Sequence, residues 1–137
     1  MKLYSTNNAQ LRVDFAEAVF NSLPDDNGLY MPEKIPTLPA SFLERLEDFS
    51  VQDICYTVAD ALLAGAIPPA ELRRIVVDAI NFPCPLIPLD QGTFVLELFH
   101  GPTLAFKDVG ARFMSRCLGY FAKTLNKQIT VLGATSG

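Results

Sequence analysis

Six of the ten prolines in this 137-residue chain fall in two short runs, Pro32, Pro36 and Pro39, then Pro83, Pro85 and Pro88. A proline ring fixes φ, removes an amide donor and pushes the preceding residue toward extended backbone. Neither run can be helical, so both read as extended connectors that cut the chain into three stretches.

Helical periodicity fills the spaces between them. Phe15, Ala18 and Val19, with Ser22 or Leu23 one turn on, form a short amphipathic helix. Ser50 can cap a second helix with Asp53 three residues later, and Val51, Ile54, Cys55, Val58 and Leu62 then share a face. Gly65 is its expected stop. Pro68 and Pro69 suit the first turn of a third helix, in which Leu72, Ile75, Val76, Ala79 and Ile80 repeat at three- and four-residue spacing. Short extended pieces are expected near Lys2–Tyr4 and Leu29–Met31.

The texture changes after about residue 90. Thr93–Leu98 reads as a strand, His100–Thr103 as a loop, and residues 107–125 as a long helix whose stripe is Val109, Phe113, Cys117, Phe121 and Leu125, widened by Met114 and Leu118. Gln128–Leu132 reads as a second strand and Gly133–Gly137 as a glycine-bounded loop. Strand, helix, strand predicts a right-handed βαβ unit with parallel strands. Parallel sheets are covered by helices on both faces, so the chain is expected to be an N-terminal piece of a larger α/β protein. Its last ten or so residues, without that cover, are expected to be partly disordered or to drive self-association.

Composition closes several classes. The formal net charge is −4, which argues against a general nucleic-acid binder or a basic membrane-surface protein. No apolar stretch reaches bilayer length, and the start carries no secretory h-region, so the expected address is the cytoplasm. Cys55, Cys84 and Cys117 form no CxxC pair and read as free buried thiols. With a single histidine, His100, no metal site is expected. Charge is unevenly placed: residues 1–98 carry 6 basic and 14 acidic side chains, and residues 99–137 carry 5 and 1. The positive balance of the second part suits an anionic ligand, or else is a helix with a solvated basic face made by Arg112, Arg116 and Lys123.

Lys107 is the unusual residue. Leu104, Ala105 and Phe106 precede it, Val109 follows, and Asp108 fits the first turn of a helix. Partial desolvation and the positive end of the dipole would both favour its neutral amine, a nucleophile toward aldehydes and a general base. The alternative is a surface lysine whose stem lies over apolar neighbours. Gly133–Gly137 can converge backbone amides on a carboxylate or phosphate. It falls short of a G-x-S-x-G nucleophile elbow, because Thr135 stands at the serine position.

The run from Glu97 through Lys107 and Asp108 to Met114 resembles the cofactor-lysine region of the threonine synthase family, pyridoxal-phosphate enzymes of the fold type II, tryptophan-synthase-β-like group. Met1–Tyr4, Gly28–Pro32 and Ala134–Gly137 also match that family's pattern. The resemblance implies an α/β fold, with a helical accessory domain over residues 1–90 and the first βαβ unit of an incomplete cofactor domain over 91–137. It implies that Lys107 is the Schiff-base lysine, and that Thr135, Ser136 and Gly137 begin the loop holding the substrate's α-carboxylate. No role beyond lining or supporting the site follows for His100, Thr103, Asp108 or Arg112. The implied reaction converts O-phospho-L-homoserine and water to L-threonine and phosphate, with no metal, nucleic acid or membrane involved. By itself this stretch is expected to be inactive. Rival readings are a non-catalytic binding or assembly module, another fold type II enzyme such as a dehydratase, and a hydrolase piece built on Thr135.

Overall fold

Residues 1–132 are described by the structure, a computed structural model. The two extended pieces expected near the start prove to be neighbours. β1 (Lys2–Ser5) pairs antiparallel with β2 (Arg12–Asp14) and with β3 (Tyr30–Pro32), giving the order β2-β1-β3. Leu3 lies opposite Val13 and Pro32; the proline is tolerated because β3 is an edge strand. Alternation puts Leu3 and Val13 on one face, where they bury against Ala18 of α1 (Phe15–Asn21). Asp14 caps α1 by accepting the Glu17 amide at 2.8 Å.

Beyond the first proline run, α2 (Ala40–Leu43) and a 3₁₀ turn at Leu46–Asp48 are short and exposed. α3 (Val51–Leu63) then starts at Ser50 as expected, with the Ser50 hydroxyl accepting the Asp53 amide at 3.1 Å. It ends one residue before the expected Gly65 stop region opens, with Ala64 and Gly65 both left-handed, at φ 48° and 78°. α4 (Pro69–Ala79) begins on its prolines, and α5 (Lys107–Thr124) is the long helix.

These helices share one core. Leu63, Ile67, Leu72, Ile75 and Val76 bury against Val19 of α1 and against Cys117 and Phe121 of α5. Phe15 meets Phe121 edge to face, with centroids 5.8 Å apart. All three cysteines are free. Burial pushes the Cys117 thiol up to about 12 and raises Cys55 and Cys84 as well, so Cys117 acts as a small packing residue. Among the described residues no helix is long and apolar enough to cross a membrane.

The α/β class stands, but strand pairing after residue 82 differs from expectation. Part of the second proline run is itself a strand, β4 (Leu86–Asp90), and it forms an antiparallel hairpin with β5 (Thr93–Leu96) through a turn at Gly92, φ 86°. Pro88 sits opposite Phe94. Both strands of a two-stranded ladder are edges, so a proline fits where a central strand would reject it. β5 stops at Leu96 rather than Leu98. Gln128–Leu132 has no strand partner among the described residues, and Val131 and Leu132 are exposed. The parallel βαβ pairing is therefore not formed among the described residues: a strand exists only through its ladder, and no neighbour lies beside this one.

Candidate active site

The site is built where the loop after β5 runs into α5. Leu104 donates its amide to the Gly101 carbonyl at 3.1 Å and Asp108 to the Ala105 carbonyl at 3.1 Å, so the loop tightens by short turns into the helix. Leu104 takes a left-handed backbone, φ 56°. Phe106 precedes the helix in helical conformation and offers no side-chain cap. Lys107 is the first helical residue and Asp108 the second.

Successive helical side chains point about 100° apart, and these two separate accordingly. Asp108 is buried, and its Oδ2 accepts the Thr103 amide at 2.8 Å. Gly101 packs directly on it: a Cβ at position 101 would lie 2.5 Å from Asp108 Oδ2. Lys107 is exposed and makes no ion pair among the described residues. The shelter expected from its apolar neighbours is absent here, because Leu104 and Phe106 are themselves 76% and 75% exposed. Adjacent apolar sequence flanks this amine without covering it.

The basic face of α5 is not free for a ligand in the way its charge suggested. Arg112 donates to the Ala79 carbonyl at 2.7 Å, to the Asp78 carbonyl at 2.9 Å and to Asn81 Oδ1 at 2.9 Å. It thereby caps the C-terminal end of α4, where carbonyls lack helical partners. Arg116 pairs with Asp78 at 2.5 Å and holds that carboxyl below its ordinary range. Two of the five cations in this part are thus spent on helix-to-helix contacts. His100 bonds Glu97 at 2.7 Å and lies against the Phe99 ring.

On the other side of α5 an apolar cavity of about 320 Å³ opens between α3, α4 and α5, lined by Ile54, Val58, Leu62, Val109 and Phe113 among others. It brings no charged group toward Lys107. Thr135, Ser136 and Gly137 lie outside the described residues. No cluster of metal-ligating side chains occurs among the described residues. The buried contact joining Gly101, Thr103 and Asp108 escaped the sequence reading; its only sequence signal is a glycine seven residues before an acid, which is too common to single out.

An exposed primary amine can condense with an aldehyde, and Leu104 and Phe106, just before it in the chain, are uncovered. Comparison with known proteins narrows this chemistry. Residues 2–80 match the family model described as threonine synthase N terminus. The threonine synthases of Haemophilus influenzae and Escherichia coli are 40% and 36% identical over the whole of this chain, which covers 31% and 32% of their lengths. The pyridoxal-phosphate-bound threonine synthase of Brucella melitensis superposes with a TM-score of 0.85 at 36% identity, over 92% of this chain and 28% of that one. This chain therefore spans about a third of the length of the curated relatives it matches. The agreement in fold, in sequence along its whole length and in the family model over 2–80 makes this chain a member of the threonine synthase family.

Proposed function

We propose that this chain is the N-terminal part of a pyridoxal-phosphate-dependent lyase that converts O-phospho-L-homoserine and water to L-threonine and phosphate. The observation that carries the reading is Lys107, an exposed amine with no ion pair among the described residues, at the first position of α5 in a chain of this family. Its surroundings fit the group. The amine is accessible, Leu104 and Phe106 just before it in the chain are exposed apolar side chains, and the N-terminal end of α5 turns a favourable dipole toward an anionic group.

When bound, pyridoxal phosphate supplies an aldehyde and a ring that delocalises carbanion charge. Lys107 would hold the cofactor through its side-chain nitrogen, and the same amine would carry protons at the substrate's Cα and Cβ. Thr135, Ser136 and Gly137 hold the substrate's α-carboxylate. Residues 1–90 serve as an accessory domain and 91–137 open the cofactor domain, with the β4–β5 hairpin as the joint. On this reading residues 1–137 alone do not turn over phosphohomoserine, and the protein works in threonine biosynthesis in the cytoplasm.

The test is the visible absorption of the full-length protein with pyridoxal phosphate, beside a Lys107→Ala variant. A band in the parent that the variant lacks, with phosphate release from phosphohomoserine lost in parallel, supports the proposal. An unchanged spectrum in the variant, or full turnover without this lysine, overturns it.

A further inference from the structure

An acid in the first turn of a helix ordinarily complements the dipole from the solvent side. Asp108 does something else. It is buried, and its carboxylate reaches back out of α5 to a loop amide five residues earlier, Thr103, at 2.8 Å. Gly101 completes the seat, because an added Cβ there would stand 2.5 Å from Asp108 Oδ2, 2.8 Å from its Cβ and 3.0 Å from its Cγ. The carboxyl thus occupies space that any other residue at 101 would claim. Apart from the short backbone turns that Leu104 makes to Gly101 and Asp108 to Ala105, the loop has little packing to hold it: Pro102, Thr103, Leu104 and Phe106 are exposed, and the helix start lacks a side-chain cap.

We propose that Asp108 is a positioning residue for Lys107. By seating Gly101 and Thr103, it fixes the junction of loop and helix and so holds the neighbouring amine, about 100° away around the same turn, at one place. What it supplies is an acceptor of the right size; its negative charge is not required. The proposal rests on the reading of Lys107 as the cofactor-holding amine.

The experiment uses full-length protein, pyridoxal phosphate as the probe and borohydride to trap the adduct, with mass spectrometry locating the label. Asp108→Ala removes the acceptor, Gly101→Ala displaces it and Asp108→Asn preserves it. Hydrogen exchange at the Thr103 amide and thermal melting are followed for each. Loss of one placement contact is expected to weaken labelling of Lys107 by about tenfold or more in both alanine variants, while the asparagine variant stays within about twofold of the parent. Thr103 exchange should speed up in Asp108→Ala and stay slow in Asp108→Asn. Should Asp108→Ala fail to fold, the Gly101→Ala and Asp108→Asn pair carries the same comparison. Equal labelling of parent and alanine variants overturns the proposal alone, as does an asparagine variant as poor as alanine. A parent protein whose Lys107 takes no label overturns the reading of Lys107 and this proposal together.

Discussion

Leu72, Val76 and Cys117, in the helical layer, are sealed from solvent, whereas Leu86, Leu89, Phe94, Leu96, Phe99, Leu104 and Phe106, all within twenty-one residues of each other, are exposed. The first group is held by close packing among α1, α3, α4 and α5. The second is held by hairpin hydrogen bonds and by single polar anchors such as Asp108. Apolar burial contributes about 25 cal/mol per Å², so stability is concentrated in the layer, and Lys107, the amine proposed to hold the cofactor, opens α5 directly after the stretch that contributes least to it. Large exposed apolar surface on such a stretch marks a place for contact rather than for self-support.

Four changes break or sharpen this contrast. Leu72→Ala should lower stability by about 2–5 kcal/mol, the range for a buried leucine, while Phe94→Ala should stay within about 0.5 kcal/mol, as exposed substitutions do. Denaturant titrations of the two variants compare them directly, and similar losses would erase the distinction. Arg112→Ala comes next, at about 1–3 kcal/mol, because charged hydrogen bonds to the end of α4 are lost. Exchange protection should fall in the last turn of α4 and not in the hairpin. Ser50→Ala should cost about 1 kcal/mol through the lost cap of α3, again read from the denaturation midpoint.

The smallest effect is with pH. Asp78 and Asp53 are held below their ordinary value of 3.8, Asp78 chiefly by the bond from Arg116 and Asp53 by bonds from Ser50 and then Arg73. The unfolded chain binds these protons more readily, so their contribution is complete above 3.8 and fades as pH falls through the lower folded values. Melting curves should show a slight loss setting in below that point. Asp78→Asn should flatten part of it, and both groups are exposed enough that the change stays small.

Elements with a local cause were legible in the sequence. α3 follows from Ser50 and its apolar spacing, and α4 from Pro68 and Pro69, since caps and first-turn prolines act within a few residues. Pairing was not legible. Pro85 and Pro88 speak against helix but are silent on whether an extended run finds a partner, and β4 found β5. Likewise the residues around Lys107 announce an apolar setting, yet whether Leu104 and Phe106 cover it depends on what packs there. The sequence alone makes Asp108 a dipole partner, because nothing local indicates that its carboxyl turns back toward Gly101.

The long helix joins the two regions as a lever. Lys107 opens α5 and Cys117 lies ten residues further on in the sealed layer, a separation of about 15 Å at 1.5 Å per residue. Pivoting the rod by about 4° at its embedded end would swing its opening turn through about 1 Å, a displacement large enough to matter for reactive geometry. A methyl group gained or lost around Phe121 thus has leverage over an amine it never touches.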